Sequence, residues 1–448
     1  MASTYLREAV SANGNKKKWT ISVWVKRSGL GANTIMSAWY ADSTSGHMSF
    51  GFDSEDRLDL STWSVNVLTT NRKFRDTNAW YHIQVAVDTD ESTADNRARF
   101  YVNGVEETSF STRNNKSSGF EYSVNNSSST HNIGGNLYSG TTNLFNGSMS
   151  HFHFVDGQQY TPTVFGSTDS TTGEWKINTS PSVTYGTNGF FILKDGNSVT
   201  DQSGQGNNLT VQAGTLTKTE DCPSNVFATF NPLYRSSNTA NFYNGNTRVT
   251  GTDYTNQRTG GTLASNSGKF YFEAKAVGST DFGGSTVGIY NYDGNNIIMN
   301  SNTWFGSSSD YIGFYCSSNV LKVITAGSHD NHGSVSVGDI IGCAFDIDNG
   351  YLYLSINGTY VNSGVPTSGS TGTGNVNRTG SHNYDFSGLL MGIAGGLQVT
   401  DAWQCNFGNG YFGTTAVSSA GTNASGIGIF EYDVPTGYTA LSTKGLNL

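Results

Sequence analysis

The chain has 448 residues, 55 of them glycine, and 25 Lys and Arg against 34 Asp and Glu give a formal net charge of -9. Charged residues at 13% and aromatics at 12%, with glycine near twice its usual share, argue against a disordered chain or a helical bundle and for many short strands joined by turns. The acidic balance argues against a nucleic-acid partner, which needs a basic stripe, and no apolar run reaches the roughly 18 residues of a membrane-spanning helix.

In chain order, Thr4–Val10 is a short helix candidate and Lys16-Lys17-Lys18 reads as a solvated loop. Trp19–Val25 alternates, with Ile21, Val23 and Val25 on one face, as a half-buried strand does. Thr34–Trp39, His47–Phe52, Leu58–Leu60, Asn66–Thr69, Trp80–Val87 and Arg99–Val102 follow as strands separated by turn residues. Ser92–Arg97 is the other helix candidate. Four of the six prolines (Pro162, Pro181, Pro223 and Pro232) mark residues 160–235 as boundary material. Beyond it, Cys343–Gly358 reads as strand, turn, strand, turn, because Asp348-Asn349-Gly350 and Asn357-Gly358 accept the positive φ that tight hairpin turns require. Leu352, Leu354 and Ile356 share one face of its second strand, and Tyr351, Tyr353 and Ser355 the other. Ala86–Gly104 carries a fainter copy of the same pattern.

Four cysteines make no disulfide framework. Cys316, Cys343 and Cys405 lie in apolar strand patterns and read as buried, and Cys222 lies alone in the boundary region. With no apolar signal-peptide core at the N-terminus, the expectation is synthesis in a cytoplasm without a secretory address.

Several stretches resemble known families. Trp19–Arg27, Trp80–Asp88, Phe100–Val105 and Phe145–Phe154 with Asp156-Gly157 resemble, in that order, the laminin-G-like, concanavalin-A-like lectin fold over residues 1–166. Gly268–Lys275, Val287–Tyr290, Tyr311–Phe314, Gly338–Asp346, Asn357-Gly358 and Gln404–Gly408 resemble a SPRY domain over residues 240–415. Residues 167–239, with Tyr185–Leu193, Asp201–Asn208 and Cys222–Pro232, are similar to connectors in structural proteins of tailed, especially marine, bacteriophages. The fold expected is all-β: two tandem antiparallel sandwiches of jelly-roll type, a Pro/Gly-rich connector with extra strands, and a tail strand at 416–448. The resemblance implies a non-enzymatic virion protein, a capsid decoration or a tail fibre or knob. It would be a homo-oligomer, trimeric or higher, that contacts other virion proteins and a host-surface glycan or protein. A polysaccharide depolymerase and a free carbohydrate-binding module are the alternatives.

Glycan hydrolysis needs two carboxylates in one cleft, and no strand here reads Glu-x-Asp-x-Glu. Asp88/Asp90 and Asp346/Asp348 have the right spacing but adjoin turns, where Asp stabilises the backbone. His151/His153 and His329-Asp330-Asn331-His332 could hold a metal. The first pair is expected to face solvent while Phe152 and Phe154 face the core, and the second group is expected to form a hairpin turn. No cofactor is expected beyond calcium, for which Asp88, Asp90 and Asp201, with Asn207 and Asn208, are the candidates. Binding is expected at aromatics in polar loops, where rings stack on sugars and Asn or Asp bonds hydroxyls. These are Trp39, Tyr40 and Trp63 in the first half, and Tyr290, Tyr292, Asp293, Asn295, Trp304, His382 and Tyr384 in the second.

Overall fold

The computed structural model describes residues 4–63, 65–136, 142–194, 198–236, 240–251, 257–277, 285–293, 309–378, 383–397 and 403–448. It is all-β, and it divides into two compact units, Met1–Lys218 and Thr219–Leu448.

The first unit is a sandwich. Its eight-stranded sheet runs in space Phe110–Arg113, Val65–Lys73, Arg57–Thr62, His47–Phe52, Asn33–Trp39, Thr130–Ile133, Tyr5–Ala9 and Thr210–Ala213. The facing six-stranded sheet runs Phe190–Ile192, Gly147–Asp156, Lys18–Arg27, Trp80–Asp88, Ala98–Val102 and Val105–Glu106. Ile21, Val23, Val25, Ile83 and Val85 meet Met36, Phe50, Leu58 and Leu60 in the core between the sheets. Alternation therefore assigned the inward faces as found. Lys18–Arg27 is nonetheless buried on both faces, because residues 158–185 drape over its outer side. Thr20 Oγ1 donates to Gln158 O (2.8 Å), and Gln84 Nε2 to Tyr160 O (2.7 Å).

Three expectations change here. Tyr5–Ala9 is a strand, not a helix: Leu6 and Glu8 point inward and the chain pairs with Thr130–Ile133 and Thr210–Ala213. Ser92–Arg97 contains only a short 3-10 turn, Ala94–Asn96. The 167–239 connector is no separate region, since its strands Phe190–Ile192 and Thr210–Ala213 complete the first sandwich and Phe230–Arg235 joins the second.

The second unit is also a sandwich. Its seven-stranded sheet runs Phe230–Arg235, Gln257–Ser265, Met391–Leu397, Thr286–Asn291, Tyr311–Ser317, Val320–Thr325 and Ser328–Ser334. Its six-stranded sheet runs Thr359–Tyr360, Tyr351–Ile356, Ile340–Asp346, Lys269–Ala276 and Trp403–Asn406, with Thr439–Ala440 added in parallel to Lys269–Ala276. Phe272, Phe314, Cys316, Cys343, Phe345, Leu352 and Leu354 fill the core. Cys316, Cys343 and Cys405 are buried and free, as expected. The tail folds back: Phe430, Val434 and Tyr438 cover Tyr271, Ala344 and Tyr353 on the outer face of the six-stranded sheet. The double hairpin is therefore sandwiched on both faces rather than half exposed.

Candidate functional site

The outward face of the eight-stranded sheet carries the site. Met36 and Ala38, Met48 and Phe50, and Leu58 and Leu60 point into the core, so the alternate positions Ser37 and Trp39, His47 and Ser49, and Asp59, Ser61 and Trp63 point outward. Strand register then lines them up. Trp39 pairs with His47, Ser37 with Ser49, and Ser49 with Ser61. Trp63 continues its strand past Thr62 and meets the His47 ring edge-to-face at 6.3 Å. Trp39, His47 and Trp63 thus form a row across three strands, with the outer two strands ~10 Å apart.

Each ring is fixed by a polar partner or a packing contact. Trp39 Nε1 donates to Asp42 Oδ1 (3.0 Å), in the turn that also holds the half-buried Tyr40. His47 Nε2 donates to Asn136 Oδ1 (2.9 Å), and burial holds its imidazole below the usual range, so the ring is neutral near pH 7. Trp39 and Trp63 are half-buried. Further along the face lies Asp59. Thr69 Oγ1 donates to its Oδ1 (2.6 Å) and Ser61 also bonds it. Burial pushes its carboxyl up to about 6 against the pull of those bonds and of Arg57.

Among the described residues, Asp59 has no free second carboxylate beside it for a hydrolytic pair. Asp53, whose charge reaches it, is taken up by the Arg57 guanidinium at 2.7 and 2.8 Å and by two backbone N–H groups. A serine–histidine pair does occur in this unit, on the outer side of the other sheet. Ser22 Oγ and His82 Nε2 lie 2.8 Å apart, but Trp175 Nε1–H donates to His82 Nδ1 (3.1 Å). Nδ1 is therefore the acceptor, Nε2 carries the proton, and His82 donates to Ser22 rather than activating it. Burial holds this imidazole down to about 3.

The structure brings Trp39 and Trp63 to one row on either side of His47, with Tyr40 in the turn that follows Trp39. Sequence reasoning missed Asp42, three residues past Trp39, and also His47, Asn136 and Asp59, which only register and a loop some 90 residues away make neighbours. The second-unit candidates fare differently. Tyr290 is fully buried and is corrected to a structural residue. Tyrosines pave that face of the seven-stranded sheet where glycines leave room: a Cβ on Gly392 would lie 2.6 Å from the Tyr292 ring. Tyr292 stacks on Tyr234 at 5.6 Å and its hydroxyl donates to Gly261 O (3.0 Å). Asp293 is exposed in a turn, and Tyr384 is half-buried against the core beside Phe386. Asn295, Trp304 and His382 lie outside the described residues.

The calcium candidates are occupied by their own surroundings. Asp88 pairs with Lys18 (2.6 Å) and Asp90 with Lys17 (3.5 Å), which also gives the lysine cluster its role. Asp201 receives the N–H groups of Phe191, Ser203 and Asn207 and the Ser203 hydroxyl, so it clamps a loop. Among the described residues no group of three His, Cys, Asp or Glu side chains could hold a metal. His153 corrects an expectation: it is buried and stacked on Phe191 at 4.0 Å, and Nδ1 and the Tyr185 hydroxyl lie 2.8 Å apart. His329–His332 lies in the edge strand Ser328–Ser334 rather than in a turn.

Residues 2–158 match the Laminin_G_3 family model, described as the concanavalin A-like lectin/glucanases superfamily. No curated protein matches the chain. Many solved structures are similar to parts of it, three of them as follows. The TRIM65 PSpry domain has 11% identity and TM-score 0.29, covering 40% of this chain and 87% of its own. The SPRY domain of human HERC1 has 14% identity and TM-score 0.28, covering 39% and 94%. A SAP-like pentraxin from Limulus polyphemus has 16% identity and TM-score 0.30, covering 43% and 89%. Within the first unit, residues 2–158 are thus similar to laminin-G-type, concanavalin-A-like domains.

Proposed function

We propose that the first unit binds a neutral glycan on the outward face of its eight-stranded sheet and catalyses no reaction on it. The carrying observation is the Trp39–His47–Trp63 row. Two half-buried indoles ~10 Å apart are placed to stack on successive sugar rings, with Asp42, Ser49, Ser61 and Asp59 nearby as partners for hydroxyls. The family description, with its lectins, supports the same reading. The non-enzymatic part is supported by Asp53, which is locked to Arg57, and by the proton position on His82.

On this reading the setting is the surface of a tailed-phage particle, where the chain is a decoration or a tail knob touching a host glycan. That setting rests on the resemblance of residues 185–232 to phage connectors. A shallow sheet-face site of this kind gains strength from several linked copies, each raising the effective concentration for the next. The test is a glycan array probed with the wild-type chain and with the Trp39→Ala/Trp63→Ala double variant. The expected result is a set of neutral oligosaccharides bound by the wild type and lost by the variant. Equal binding by both would refute the site, and shortened products released from the bound glycan would refute the absence of catalysis.

A further inference from the structure

The second unit carries a carboxylate that no surface role explains. Glu273 lies in the strand Lys269–Ala276, fully buried on the outer side of the six-stranded sheet. Its oxygens accept the backbone N–H of Glu431 and of Tyr432 (both 2.9 Å), the Tyr271 hydroxyl (3.2 Å) and Asn406 Nδ2 (3.4 Å). No cation appears among these partners. Two of the four bonds reach the chain that crosses the sheet from residue 413 to residue 438.

That crossing chain is tied at both ends and loaded in the middle. On one side Asn406 Oδ1 accepts the N–H groups of Gly408 and Gly410. On the other, Thr439–Ala440 pairs with Phe270 and Tyr271, Ala228 N donates to Leu441 O (2.9 Å), and Thr443 N to Val226 O (2.9 Å). In between, Thr422 N and Oγ1 both bond Asp433 Oδ1, and Val434 N bonds Thr422 O, so the strap is braced as one piece. Phe430 packs edge-to-face on Tyr271 at 5.0 Å. Tyr432 lies on the Asn357-Gly358 turn, where a Cβ on Gly358 would come within 2.6 Å of the ring. Beneath the strap the sheet face is Tyr271, Ala344 and Tyr353, with Tyr351 and Tyr360 at its border.

We propose that residues 413–438 form a proton-controlled strap, clasped at its centre by Glu273, which lifts from this tyrosine face as the pH rises. While the strap is down, the carboxyl is out of water, and burial outweighs its four hydrogen bonds. It titrates at about 7 instead of its ordinary 4.5. Lifting the centre hydrates Glu273 and returns it to the ordinary range. The docked state therefore holds the proton more tightly than the lifted state does. Docking is strongest below about 4.5 and weakens as the pH climbs through about 7, by up to ~300-fold in the opening equilibrium. The ionisable groups facing the clasp are Tyr271 and Lys275 on its own strand, Tyr360, Cys343, Asp339, and Glu431 and Tyr432 on the strap. Burial pushes Tyr271, Tyr360, Tyr432 and Cys343 upward, so these stay protonated from pH 5 to 8. Lys275 lies over the Phe412 ring at 5.8 Å.

Amide hydrogen exchange on the full chain at pH 5 and pH 8, corrected for the intrinsic rate, tests this. The Glu431 and Tyr432 amides should lose protection by one to two orders of magnitude at pH 8, relative to Leu352 and Leu354 in the sheet below. Glu273→Gln should flatten that difference. Equal corrected protection of residues 431 and 432 at the two pH values in the wild type overturns the proposal, whether or not the variant folds. An unchanged pH difference in a folded Glu273→Gln chain also overturns it.

Discussion

Arg27 and Asp56 offer the sharpest test of how the first sandwich is held together. Arg27 is wholly buried, and its guanidinium donates to Phe74 O (2.6 Å) and Gly31 O (2.8 Å), covers the Phe52 ring at 4.4 Å and pairs with Asp56 at 3.0 Å. Asp56 also accepts the Gly31 N–H (2.7 Å) and pairs with the more exposed Arg75 (3.0 Å). Asp56→Ala strands a buried cation, a loss of about 3–5 kcal/mol, whereas Arg75→Ala removes only a surface arm and costs under about 1 kcal/mol. For a unit of this size each kcal/mol moves the melting temperature by roughly 2–4 °C, so Asp56→Ala should lower it by roughly 6–20 °C and Arg75→Ala by a few degrees at most. Tryptophan fluorescence follows the transition selectively, because six of the eight tryptophans (Trp19, Trp24, Trp39, Trp63, Trp80 and Trp175) lie in this unit. Burial pushes the Asp56 carboxyl up, but Gly31, Arg75 and Arg27 together hold it below its ordinary 3.8. Its contribution is therefore present above 3.8 and lost as the pH falls further. An Asp56→Ala chain that melts within 3 °C of wild type would refute the reasoning.

Asp59 should show the opposite slope. Its folded carboxyl titrates near 6 rather than 3.8, so the stability it allows is full below 3.8 and falls as the pH rises through 6. Asp59→Asn should remove that slope and raise stability at pH 7 by on the order of 1–2 kcal/mol, allowing for solvent screening at a half-buried site, as read by urea unfolding at pH 4 and pH 7. Gly358→Ala should destabilise the second unit by more than about 1 kcal/mol, because φ is +80° there and the new methyl meets Tyr432. The midpoint of thermal unfolding, with Gly388→Ala (φ +69°, no neighbour within 4 Å) as the control for φ alone, separates the two terms.

Most strands were legible because alternation is local. Trp19–Val25 and Trp80–Val87 each declare their inward face within seven or eight residues, and Asn357-Gly358 declares its turn. Tyr5–Ala9 was not legible, since its inward Glu8 breaks the apolar pattern and its partners lie more than 120 residues along the chain. The second burial of an outer face escaped for the same reason. Nothing near Glu273 announces that Glu431 and Tyr432 will cover it, and nothing near Lys18–Arg27 announces Tyr160 or Trp175. At the candidate site, the sequence supplied Trp39 and Trp63 as ring-bearing positions. That they share a face with His47 between them depends on register, which a sequence leaves open wherever turns vary in length.

The central claim is that Trp39 and Trp63 receive a glycan. Indole 1H–15N spectra of the full chain, titrated with an oligosaccharide that the array selects, address it directly. The account predicts that the Trp39 and Trp63 signals shift with a common saturation curve while those of the buried Trp19, Trp24 and Trp403 stay in place. Saturable shifts confined to tryptophans other than Trp39 and Trp63 would contradict it.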